Sequence, residues 1–67
     1  MAMHSDDEHS EQIVNQLKQI SERLADQALS VLKHAHAAGE STRPELERTL
    51  TQARRAVEKA ISLLSRS

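Results

Sequence analysis

Apolar residues recur along this chain at helical spacing almost from end to end, with one interruption. Ile13, Leu17, Ile20, Leu24, Ala28, Val31, Ala35 and Ala38 form one stripe, and Val14, Ala25, Leu29 and Leu32 form a second beside it. At about 100° per residue the two stripes together span an arc of about 180°. A single neighbouring helix covers less than that. Further on, Leu46, Leu50, Ala53, Val57, Ala60 and Leu64 repeat in alternating steps of four and three, the heptad signature of a packed helical seam. Ile61 widens one flank of this seam, and Ala56 and Leu63 widen the other.

The interruption lies between Gly39 and Pro44, the sole glycine and sole proline of the chain. Gly39 suits the left-handed position that closes a helix, because it carries no Cβ to clash there. Pro44 suits a first helical turn, where its missing N–H is no loss. Ser41 and Thr42 offer side-chain oxygens to the amides of the second helix, and Thr42 with Glu45 has the spacing of a capping box. Ser5 and Glu8 repeat that spacing at the other end, where Asp6 and Asp7 also favour a helix start. The pattern therefore predicts one domain over residues 1–67, with a helix over about 5–38, a turn at 39–43 and a second helix over about 44–65.

Folding these helices antiparallel about a turn near Ser41 sets Val31 opposite Leu50, Leu24 opposite Val57 and Leu17 near Leu64. These six residues are the expected core of the hairpin. The first helix then overhangs by about two turns, leaving Ile13 and Val14 beyond the end of the second. The predicted fold is all-α: an antiparallel, coiled-coil-like two-helix hairpin that dimerises to a four-helix bundle or docks on a helical partner. Val14, Leu29, Leu32, Ile61 and Leu63 are the residues expected to make contacts outside it.

Size supports the need for a partner. Ordering a chain costs roughly 1.5 kcal/mol per residue, and a hairpin of 67 residues recovers this only if nearly all its apolar surface leaves water. The formal charge of −1 gives no global bias toward nucleic acid or anionic membrane. With no cysteine there is neither a disulfide framework nor thiolate chemistry. The polar, acidic stretch from Met1 to Ser10 is unlike a secretory signal and no apolar run reaches membrane-spanning length, so the expected location is the cytoplasm. Without Phe, Tyr or Trp, single-stranded nucleic acid cannot be held by base stacking on aromatic rings.

Candidate chemistry is sparse. His34 and His36 are two apart on a helix and diverge, which suits polar residues near a helix C-terminus better than metal ligands. Asp6 and His9 could share a metal but lack a second pair, and no carboxylates line the expected core as a di-iron bundle requires. If Met1 is removed, Ala2-Met3-His4 offers an amine, two amides and an imidazole suited to Cu(II), an arrangement that any third-position histidine creates by accident. No nucleophile stands at useful spacing from a base, and no glycine-rich phosphate loop is present. The expectation is a protein without enzymatic activity, metal or cofactor. On helix 2, Arg48, Arg55, Lys59 and Arg66 fall within about 40° of one another, opposite the apolar seam. Such a ridge is either an ordinary solvated face or a track for the phosphates of structured RNA or DNA.

The run Gln52-Ala53-Arg54-Arg55-Ala56-Val57-Glu58-Lys59-Ala60-Ile61-Ser62-Leu63-Leu64 resembles the C-terminal helix of the small co-chaperones that serve the needle subunit of bacterial type III secretion systems. The shared features are an apolar residue before Glu58, small Ala60, apolar Ile61 and the closing Leu63-Leu64 pair. Overall length, a single turn containing Gly39 and a helical first half rich in Gln and Leu also fit. The resemblance implies a cytoplasmic co-chaperone that packs against a larger helical-repeat chaperone and helps to keep the needle protein unpolymerised. It implies protein partners, with a homodimer when the chain is alone. The alternative is a homodimeric four-helix bundle that binds structured RNA or DNA through the basic ridge.

Overall fold

Helix α1, Ala2–Ala37, ends where Gly39 takes a φ of +84°. The Glu40 N–H donates to the Ala35 carbonyl at 3.0 Å and the Gly39 N–H to the His36 carbonyl at 3.0 Å. This pair of bonds is a Schellman motif, which satisfies carbonyls that the end of a helix would otherwise leave open. Helix α2, Glu45–Arg66, begins after Pro44, whose carbonyl accepts the Arg48 N–H at 3.3 Å. The computed structural model describes the backbone of residues 2–66 and the side chains of residues 9–66.

The two helices form an antiparallel hairpin, all-α as the periodicity predicts. Its extents are 58 × 14 × 11 Å, and its radius of gyration is 16.1 Å. A compact chain of this length would have a radius near 11 Å. The molecule is thus a rod, and its core is a line of contacts between the helices. Among the described residues no large side chain is fully buried, and Ala28, at 9% exposure, is the one buried apolar residue.

Helix α1 starts at Ala2, three residues before the expected Ser5, and its first turn contains no acidic residue. Ala2, Met3 and His4 include nothing that interrupts a helix, so the Ser5/Glu8 spacing falls inside it. The side chains of Ser5, Asp6, Asp7 and Glu8 lie outside the described residues. At the other end the helix stops one residue before the expected boundary.

The seam keeps most of the expected residues but is rotated toward the second stripe of α1. On α1 it follows Val14, Leu17, Ser21, Leu24, Ala28, Val31 and Ala35, which are buried or half-buried in steps of three and four. It runs between the two sequence stripes and leaves Ile13 and Ile20 exposed on one side and Leu29 and Leu32 on the other. On α2, Leu50, Ala53, Val57, Ala60, Ile61 and Leu64 are half-buried, but Leu46 is 57% exposed and Glu47 only 7%. The expected seam residue at the start of α2 is thereby exchanged for its charged neighbour.

Arg43 makes that exchange tolerable. It forms an ion pair with Glu47, with Nη2 donating to Oε1 at 2.9 Å and Nε to the other carboxylate oxygen, while Thr51 Oγ1 donates to Oε1 at 3.3 Å. A buried carboxylate requires such partners. The expected cap is not formed: among the described residues, Ser41 and Thr42 make no side-chain bond to the α2 amides, and Glu45 is the first helical residue.

The register shifts with the corner. Pairing Leu24 with Val57 would place Arg54 level with Gln27, yet Arg54 Nε donates to Ser21 Oγ at 3.3 Å. Six residues span about 9 Å of helix, so even allowing for the reach of an arginine, α2 sits roughly one turn nearer the start of α1 than expected. The connecting residues account for this by running back beside the end of α1, where Glu40, Ser41, Thr42 and Arg43 share a groove with Leu32, Ala35 and His36. Val14 consequently lies half-buried within the seam and off the overhang.

A Cβ at Gly39 would meet nothing within 4 Å, so any cost of substitution arises from backbone conformation. Gly39→Val is expected to lose about 1–2 kcal/mol of stability in denaturant titrations, with Gly39→Asn losing less because asparagine enters the left-handed region more readily. The Glu47 carboxyl is held below its ordinary value of 4.5, chiefly by the hydrogen bond from Arg43, against the opposing effect of burial. A depressed folded pKa means that this stabilisation is full above the unfolded pKa and is lost as pH falls through the folded one. The gap in thermal midpoint between wild type and Glu47→Gln should therefore shrink as pH is lowered from about 6 toward 3. A gap that stays constant would contradict this assignment.

Candidate interaction surfaces

The seam separates two flanks of different character. On one, Leu24, Ala25, Ala28, Leu29 and Leu32 from α1 line a groove with Glu47, Thr51 and Arg54 from α2. Its floor is apolar and its α2 wall carries both charge signs. A second groove continues along the same flank between Lys18, Ser21 and Glu22 and the α2 residues Arg54, Glu58 and Ile61. Arg54 stands between the two, bonded to Ser21 and 3.6 Å from Glu58. These shared linings fix which side of each helix forms this flank.

The opposite flank follows from seven-residue spacing. Ile13 and Ile20 on α1 line up with Gln27 and His34, and Leu46, Ala53 and Ala60 line up on α2. Thr49, Ala56 and Leu63 stand one position further round. Ile13, Ile20, Leu46 and Leu63 are exposed, and between them stand the small side chains of exposed Ala56 and half-buried Ala53 and Ala60. The centre of this face carries no formal charge, and Arg23, Glu45 and Lys59 stand along its edges, in a chain that is 28% charged.

The residues expected to bind a partner do not form one surface. Leu29 and Leu32 come together in the first groove, Leu63 lies on the opposite flank, and Val14 and Ile61 are half-buried along the seam. The six residues expected to hold the hairpin, Leu17, Leu24, Val31, Leu50, Val57 and Leu64, are all half-buried. Sequence reasoning missed Glu47, Arg43, Ser21 and Arg54. Ser21 completes the three-and-four spacing of α1, but its polarity masks it. Arg43 and Glu47 stand four apart, but across a proline, where helical pairing is not anticipated.

Arg48, Arg55, Lys59 and Arg66 are all exposed along the outer face of α2. Two nearby acids are engaged elsewhere, Glu47 by Arg43 and Glu58 by Arg54. Arg48 stands close enough to Glu47 to lower its pKa slightly further.

His34 Nδ1–H donates to the Ser30 carbonyl at 2.8 Å, one turn back along its own helix, and the Ser30 hydroxyl lies 3.5 Å from the same nitrogen. Among the described residues no group of three or more His, Asp or Glu side chains is placed to hold a metal ion. The side chains of His4 and Asp6, which figure in the two N-terminal metal arrangements, lie outside the described residues. Among the described residues no helix is long and apolar enough to cross a membrane. No protein-family model matches the chain, and neither a curated protein nor a solved structure shows detectable similarity to it.

Proposed function

We propose that this chain is a protein-binding hairpin without catalytic activity, and that it serves as a co-chaperone. In this reading it joins a larger helical-repeat chaperone in the bacterial cytoplasm and helps keep a type III secretion needle subunit from polymerising. The observation that carries the binding role is the groove with Leu29 and Leu32 at its floor, an exposed apolar strip beside Glu47, Thr51 and Arg54. An amphipathic helix suits such a groove, with apolar residues on the floor and polar ones on the charged wall. The specific class of partner rests on the resemblance of Gln52 to Leu64 to the needle co-chaperones.

A second reading rests on the exposed ridge of Arg48, Arg55, Lys59 and Arg66, beside which Glu47 and Glu58 are paired with other arginines. There the hairpin is half of a homodimeric bundle that binds structured RNA or DNA through its phosphates.

Affinity purification from the native cell tests the first reading. The wild-type chain should bring down a helical-repeat protein together with a small polymerising subunit, and Leu32→Glu should weaken capture more than about a hundredfold while leaving the helical circular dichroism unchanged. Equal capture by Leu32→Glu would remove the groove from the interface. For the second reading, the double variant Arg55→Glu/Lys59→Glu should lower the salt slope of hairpin-RNA binding by about 2. Absence of wild-type affinity for duplex or hairpin nucleic acid at low salt eliminates that reading.

A further inference from the structure

The flank opposite the Leu29–Leu32 groove points to a different occupant. This chain exposes 5558 Å², whereas a globular monomer of 7.5 kDa exposes about 4,250 Å². The excess of about 1,300 Å² follows from the elongated shape and is spread along the rod, so the hairpin has surface to spare for an interface of the roughly 800 Å² that each partner contributes. Depletion of charge marks the centre of such interfaces, and the centre of this face is uncharged, with Arg23, Glu45 and Lys59 at its edges.

The face is also complementary to itself. Lys18, Ser21 and Glu22 share a groove with Arg54, Glu58 and Ile61, so Ile20 stands at the height of Ala56 and Ala60 on the neighbouring helix. A two-fold axis parallel to the helices preserves height and exchanges the two helices. It therefore brings Ile20 of each copy onto the small side chains of Ala56 and Ala60 of the other, and Ile13 toward Leu63. Large side chains meet small ones twice, and Arg23 lies at the rim.

We infer that a second copy of this chain packs on this face about a lengthwise two-fold axis, forming a four-helix bundle. This assignment stands independently of the partner proposed for the opposite groove. The bundle leaves that groove open, and each dimer would thus present it on both outer sides.

Sedimentation equilibrium at about 100 µM tests the assignment, with the wild type expected at twice the monomer mass of 7.5 kDa. Ile20→Glu and Ala56→Glu should each halve that mass, and Leu29→Glu should leave it unchanged. Because the chain contains no cysteine, oxidative cross-linking gives a readout in which the altered side chains remain small. Ile20→Cys mixed with Ala56→Cys should form a covalent heterodimer, and neither variant should cross-link alone. A monomeric wild type, loss of the dimer in Leu29→Glu but not in Ile20→Glu, or efficient self-cross-linking of Ile20→Cys would overturn the inference.

Discussion

Two helices packed side by side touch along one seam, and each can bury only the strip that faces the other. That constraint governs this molecule. Its first helix carries apolar residues over about half of its circumference, and a single partner helix covers less than that. The structure divides the surplus. Leu17, Leu24 and Val31 go to the seam, Leu29 and Leu32 turn to one flank, and Ile13 and Ile20 turn to the other. The alternation of Ser21 and Ala28 with larger residues keeps the seam narrow, so no large side chain among the described residues is wholly enclosed.

The corner decides how that division falls. The Schellman closure at Gly39 stops α1, but residues 38–44 then run back along it before α2 begins. Glu47 turns inward because Arg43 and Thr51 satisfy its carboxylate, and Leu46 is left outside in consequence. One turn further, Arg54 reaches across to Ser21. Polar groups within a helical seam commonly fix register at some cost in stability, because sliding the helices leaves them without partners. Here Arg54–Ser21 is such a bond between the helices, whereas Arg43–Glu47 is a local pair that lets Glu47 face inward in place of Leu46.

Much of this architecture was legible in the sequence. Helical periodicity, a lone glycine and a lone proline define two helices and the place of the turn, because each carries a strong local signal. The rotation of the seam was not legible. Ser21 and Glu47 read as surface residues, and the bonds that make them interior come from Arg54, thirty-three positions away, and from Arg43 on the far side of Pro44. The register failed for a related reason. A turn centred on Ser41 assumes a short path between the helices, whereas the actual connection doubles back. Leu29 and Leu32 were legible as surplus apolar residues, but their separation from Leu63 by the whole width of the hairpin required the packing.

A rod of this kind has little interior with which to offset the entropy of ordering its chain. In the proposed reading, its apolar flanks supply the missing contribution by association, through a second copy, another protein or both. The most direct measurement is the thermal midpoint, followed by circular dichroism at 222 nm, over about a hundredfold range of chain concentration. A midpoint that rises steadily with concentration is the predicted result, because unfolding is then linked to dissociation. A fully helical chain whose midpoint is the same at both extremes would show that the hairpin is complete by itself and would contradict the account.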